Sequence, residues 1–217
     1  MSPRSAAGRK LASAGDRRLL SYELLGALTV FAVVTLFTPG PNNIMLMTSG
    51  LNFGVRRTLP HAAGVVAGFG FMVLVVGLGL GAVFSAWPLL YTVVKYVGAA
   101  YLLYLAWKIA HAGPAKGEAE GTPLTFLQAA AFQWVNAKAW VMAIGAVTAF
   151  AAVTAFPWNA ITFAVIFSVL GAASSATWVL FGTALRRVVT DPGTVRIFNW
   201  VMAALLVASL IPVFLEG

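Results

Sequence analysis

Pro39, Gly40, Pro41, Asn42 and Asn43 stand together inside one apolar run, and Gln133, Asn136 and Lys138 lie close together inside another. In hydrocarbon such residues are costly, because lipid supplies no partner for an amide, a carbonyl or an ammonium group. Proline has no amide hydrogen and disrupts a helix interior, so Pro39 and Pro41 release carbonyls in the turn before them. A half-helix starting near Asn42 then presents free amides with partial positive charge. Carbonyls suit an ammonium group, whereas amides and the Lys138 ammonium suit a carboxylate. The two clusters together have the chemistry of a zwitterion site, and these residues are the expected substrate-binding set. For Pro39-Gly40-Pro41 alone a packing kink is as good a reading; the matching polar cluster in a second span favours a site.

Apolar residues make up 60% of the 217-residue chain and charged residues 9%, where soluble domains carry roughly 45–50% and about 25%. That balance defines an integral membrane protein. The net charge of +8 does not indicate nucleic-acid binding, since the basic residues sit at the ends of apolar runs, where they anchor to the membrane surface. No cysteine is present, which excludes disulfides, thiolate metal sites and cysteine nucleophiles.

The elements that must position the polar clusters follow from apolar length, since a span needs about 20 residues. Six segments qualify: Leu24 to Leu51, Leu59 to Ala86, Leu89 to Ala110, Leu124 to Phe156, Trp158 to Leu185, and Ile197 to Leu215. The expected organisation is a disordered basic tail (1–20), a first three-helix repeat (21–110), a loop (111–123) and a second three-helix repeat (124–217). The fold expected is therefore an all-α membrane protein of six helices, the first helix of each repeat interrupted. Arg56 and Arg57, Lys108 and Lys116, and Arg186, Arg187 and Arg196 occupy alternate connections. The positive-inside rule places those connections in the cytoplasm, although the basic tail points the other way. Val97 to Leu102 (VGAAYL) and Val201 to Leu206 (VMAALL) are the clearest trace of duplication. Two tandem three-span copies insert with opposite orientation, a transporter signature with its site at midplane.

At these residues the chain resembles the LysE/RhtB-type amino-acid exporters. Pro39-Gly40-Pro41-Asn42 matches the family's Pro-Gly-Pro-Asn motif, and Asn136-Ala137-Lys138 stands where members often have Asn-Pro-Lys. The resemblance runs from about Leu24 to Leu215. The stretches TPGPNN, GVRR, GAAYLLYLAWKI and FQWVNAK are most similar to the cysteine and O-acetylserine exporter branch. The resemblance implies export of small amino acids or related metabolites across the bacterial inner membrane, with no cofactor. Two departures stand out. Ala137 lacks the proline, which weakens the expected break, and Phe69 follows Gly68 where many members carry an aspartate. Asp16, Glu23, Glu118, Glu120, Asp191 and Glu216 are the only acids, all in the tail, loops or span ends. A dibasic solute would find no midplane carboxylate, and desolvating an unpaired ammonium costs several kcal/mol. The expected substrate is a neutral zwitterion.

His61 starts the second span beside Arg56 and Arg57 and reads as interfacial, with proton handling as its alternative role. Gly64-x-x-x-Gly68 and Gly77-x-x-x-Gly81 permit close helix approach, within one subunit or, as the alternative, in a homodimer. A metal exporter is the chief rival, because Met45 and Met47 flank the motif with thioethers that suit copper; two residues apart they point to different faces, and core packing accounts for them better. An intramembrane enzyme is weaker still. His61 and His111 are isolated, and a Lys138 dyad with Ser174 or Ser175 is its best option. No catalytic or metal-binding set is expected.

Overall fold

Helices make up every regular element among the described residues, which in the computed structural model are 3–80, 88–111, 122–189 and 191–211. Helix α1 spans Pro3–Phe37, and α2 spans Pro41–Val75 with a π-helical continuation over Val76–Leu80. Helix α3 spans Pro88–Ala110. The short α4, Phe126–Phe132, passes through a 3-10 turn at Gln133–Val135 into α5, Ala137–Ala149. After another 3-10 turn at Ala151–Val153 come α6, Trp158–Val188, and α7, Pro192–Ala208. Three stretches are long and apolar enough to cross a membrane: Leu19–Phe37, Pro41–Leu80 and Trp158–Val188. The connection at 81–87 and most of the expected central loop lie outside the described residues.

The basic segment expected to be disordered up to residue 20 belongs to α1, which begins at Pro3. Residues 4–20 are mostly Ala, Arg, Lys and Leu, among the strongest helix formers, so they extend the helix that follows.

Helix α2 consists of two arms. Gly54 divides them with φ 76° and ψ 176°, a backbone conformation that an L side chain strongly resists. Across this turn the Ser49 and Thr58 hydroxyls lie 2.9 Å apart, and Thr58 Oγ1 donates to the Gly54 carbonyl at 2.8 Å. Both arms lie along α6. A Cβ on Gly50 would overlap the carbonyl oxygen of Val179, and one on Gly182 that of Met47. Further along, Gly70 packs on Ser168 and Gly77 on Ala160, so the second arm is antiparallel to α6. Gly64 and Gly68 rest on Phe126 and Ala130 of α4. These glycines are used for packing inside the chain, and Gly81 lies outside the described residues.

Two helix pairs are interrupted. Helix α1 and the first arm of α2 follow α6 in one direction, with Phe31 beside Phe167, Leu36 beside Gly171 and Gly54 beside Arg186. The α4–α5 pair follows the second arm, with Phe71 against Trp134. The pairs are antiparallel to each other: Phe31 meets Phe150, Gly40 meets Lys138, and Asn42 meets Gln133. The main apolar core joins them through Leu28, Ala32, Met72, Ala143, Ala146 and Phe167. Helices α3 and α7 pack on each other through Ala99, Leu102, Ala203 and Leu206, with Met45 and Phe132 beneath. Exposed Val30, Val34, Val165, Val169, Leu103 and Leu205 make the outer surface apolar, while Asn43, Asn52, Gln133, Asn136 and Asn199 are buried. Polar residues inside and apolar ones outside suit lipid as the solvent.

Candidate functional site

The interruptions form where the sequence places them, by two different means. At Thr38 the helical amide bond to Val34 is still made at 3.1 Å, and the prolines at 39 and 41 then remove the next donors. Gly40 is extended, and α2 starts at Pro41 without a side-chain cap; proline fits the first helical position because it lacks the hydrogen that would be orphaned there. In the second pair no proline is needed. Asn136 adopts φ −89° and ψ 104°, and its side chain accepts from the Lys138 amide at 3.2 Å. Asparagine at a helix N-cap satisfies one of the orphan donors. The break expected to weaken at Ala137 is thus complete, and Asn136 makes it.

The two breaks meet. The Asn42 and Gln133 amides pair in both directions, and Gln133 also donates to the Ala129 carbonyl at 2.9 Å. Lys138 extends across to the first break, where Nζ donates to the Thr38 carbonyl at 2.8 Å. Its side chain lies over Gly40, where a Cβ would come within 2.9 Å of both Cδ and Nζ.

The carbonyls released by the prolines differ from expectation. Asn43 Nδ2 donates to Leu36 at 2.7 Å and to Thr38 at 2.9 Å. Ser174 Oγ donates to Leu36 as well, at 2.8 Å. Two carbonyls expected to face an ammonium group are thus already held by side chains of the chain itself. An unpaired buried carbonyl costs about 1–3 kcal/mol, which is the physical reason for Asn43 and Ser174.

A cavity of about 40 Å³ lies between the breaks. Gly40, Asn42, Asn43, Asn136 and Lys138 line it, together with Thr35, Ser174, Ser175 and the apolar Phe69, Met142 and Phe167. A water needs roughly 10–15 Å³ on this measure, so the cavity has room for a few waters. Of the residues expected from sequence, Gln133 is fully buried behind Asn42, Pro41 is buried, and Pro39 is exposed; these three shape the break without lining the cavity. His61 is elsewhere. It stands on the second arm of α2, past the Gly54 turn, and is only 2% exposed. Thr35 was missed, and Ser174 and Ser175 entered only as partners of Lys138 in the enzyme reading, not in the substrate-binding set. Their signal is slight: two adjacent serines among the small residues Gly171 to Ala176. Met45 and Met47 pack in different apolar clusters, in keeping with a packing role.

Crossed interrupted helices, an apolar exterior and a small cavity lined by amides, serines and one ammonium define a multi-pass membrane protein. The chain belongs to the LysE type translocator family, which it matches over residues 33–211. Similar proteins include the cysteine/O-acetylserine efflux protein of Klebsiella pneumoniae, 32% identical over 194 residues, covering 89% of this chain and 98% of that one. The proteins of the same name from Salmonella typhimurium LT2 and Escherichia coli K12 are 32% and 31% identical, each over 88% of this chain and 97% of their own. No solved structure matches the chain. The protein is a translocator.

Proposed function

We propose that the chain exports small neutral amino acids, of the cysteine and O-acetylserine type, across the bacterial inner membrane by alternating access. The observation that carries this reading is the crossing of the two interrupted helices, with Asn42 bound to Gln133 and Lys138 bound to Thr38. It supports two inverted three-span repeats, one opened by α1 with the first arm of α2, the other by α4 with α5. Aligned on the breaks, Asn42 and Lys138 are equivalent, and each binds across the centre to the other repeat. The arginine-rich connections would face the cytoplasm.

The mechanism follows from the weakness of that clasp. Net contributions of about 0.5–1.5 kcal/mol per hydrogen bond are small enough for a solute to replace. A carboxylate entering the cavity competes with the Thr38 carbonyl for the Lys138 ammonium and with Gln133 for the Asn42 amide. The uncapped start of α2 at Gly40 adds amides and partial positive charge. Opening the clasp lets the repeats rock about the site. No acid among the described residues lines the cavity, so a second cationic group on the solute would go unpaired, and dibasic amino acids are excluded. The names of the relatives support cysteine-like solutes; the buried methionines give no soft metal site.

Efflux tests this reading. Cells expressing the wild type, Lys138→Met or no transporter are loaded with mixed dipeptides, and amino acids in the medium are measured by mass spectrometry at matched membrane levels. Enrichment of a few neutral amino acids by the wild type alone is the expected result. Three identical profiles would overturn it.

A further inference from the structure

A second, larger cavity of about 300 Å³ lies between the first arm of α2, His61 of the second arm and the C-terminal end of α3. That volume is at the lower bound of small-molecule pockets, whereas the central cavity has room for a few waters only. Its polar lining includes Thr48, Ser49, Asn52, His61, Lys108, His111 and Thr122. Some of these groups are accounted for: Ser49 pairs with Thr58, and Asn52 Nδ2 donates to the Thr48 carbonyl at 2.9 Å and to Asn199 Oδ1 at 3.1 Å. His111 Nδ1 lies 2.8 Å from the Trp107 carbonyl. Others are not. Both ring nitrogens of His61 and the Thr48 hydroxyl are buried and have no hydrogen-bond partner among the described residues. His61 is 2% exposed and Thr48 4%. Buried polar atoms are nearly always satisfied, and each exception calls for an explanation.

The two cavities share the same two helix arms. Asn43 and Thr48 are separated by about 7.5 Å along the first arm at 1.5 Å per residue, and Val65 lies one turn beyond His61 on the second. Between these levels Leu46 and Val65 belong to one buried apolar cluster with Ala129 and Val179. The larger cavity is on the side of the Gly54 turn and of Lys108, the basic end of the molecule.

We propose that this chamber is a second binding station for the translocated amino acid, on the cytoplasmic side of the central site. It rests on the export reading given above. His61 and the Thr48 hydroxyl supply donors for a carboxylate, Lys108 adds a positive charge, and no acid among the described residues lines the chamber. The solute waits there, outside the Leu46–Val65 layer, until the clasp opens.

The absence of native cysteine allows a direct test. Thr48→Cys and, separately, Ser175→Cys are labelled with N-ethylmaleimide in inside-out membrane vesicles, with and without saturating O-acetylserine. The station predicts that O-acetylserine slows labelling of Thr48→Cys severalfold. Adding His61→Phe should abolish that protection while Ser175→Cys stays protected, and His61→Gln, which keeps a donor and an acceptor, should retain it. If only Ser175→Cys is protected, or if Thr48→Cys does not label at all, the station is overturned and the central site stands. Protection at Thr48→Cys that survives His61→Phe overturns it too, because the slowing then reports a shape change. If neither position is protected in any background, the export reading fails with it. Should His61→Phe remove protection at both positions, His61→Gln decides: retention at Thr48→Cys supports the station, and loss there alone overturns it.

Discussion

Asn42 Nδ2 donates to Gln133 Oε1 at 2.8 Å, and Gln133 Nε2 returns a bond to Asn42 Oδ1 at 3.1 Å. Ninety-one residues separate the two in sequence, and no other side-chain pair joins the two interrupted helices in both directions among the described residues. Removing one amide leaves the other unsatisfied beside the cavity, at a cost of about 1–3 kcal/mol. Asn42→Ala and Gln133→Ala should each lower efflux roughly tenfold, since about 1.4 kcal/mol is a factor of ten. The exchange Asn42→Gln with Gln133→Asn restores an amide pair and should recover part of the loss. Efflux rates at matched membrane levels check this; an exchange variant worse than both single variants would disprove the pairing as the cause.

Gly98 is in van der Waals contact with the second break, and a Cβ there would overlap the Val135 carbonyl. Backbone cannot give way as a flexible side chain does. Gly98→Ala should destabilise by about 1–3 kcal/mol through overpacking, seen as a lower melting temperature in detergent. Gly26 has nothing within 4 Å of its would-be Cβ, so Gly26→Ala should be neutral or stabilising by up to about 1 kcal/mol. Equal effects at the two positions would refute the packing account.

Gly40→Ala has a different consequence. The new methyl meets only the end of the Lys138 side chain, which can swing away. Melting should therefore change little, while the ammonium leaves the Thr38 carbonyl and the cavity. Efflux should fall toward the level of Lys138→Met. A variant that melts early but transports normally would contradict this.

Ala137 occupies the first position of α5, after Asn136 with φ −89° and ψ 104°. That backbone is close to what a residue preceding proline adopts, and proline is favoured at the first helical position. Ala137→Pro should accordingly be tolerated, with melting unchanged or raised by about 0.4–1 kcal/mol of stability. Asn136→Ala loses the cap and should cost about 1 kcal/mol, while Asn136→Ser should recover most of it. Thermal melts of the three variants decide.

Much of the site was legible because interruption is a local property. Pro39 and Pro41 remove donors wherever they stand, and Asn136 caps a helix through its own near neighbours, so both breaks follow from residues adjacent in sequence. The membrane class was legible for a similar reason: it depends on composition. The expected ammonium ligands were not legible, because Asn43 and Ser174 reach the Leu36 carbonyl from one and from another helix, and only the second of these involves distant sequence. The burial of His61 was not legible either, because its neighbours Arg56 and Arg57 give no sign of it and it follows from packing around the Gly54 turn.

What the sequence determined by itself is the set of parts: apolar helices, two polar breaks, basic ends, and acids confined to the tail, loops and span ends. Tertiary structure alone decided which parts meet. Glycines that let Gly50 rest on Val179 and Gly182 on Met47 bring backbones close enough to cross the two breaks, and the crossing pairs Asn42 with Gln133 and Lys138 with Thr38. Hydrogen bonds act over about 3 Å, so partners far apart in the chain are chosen by packing, which no local pattern records.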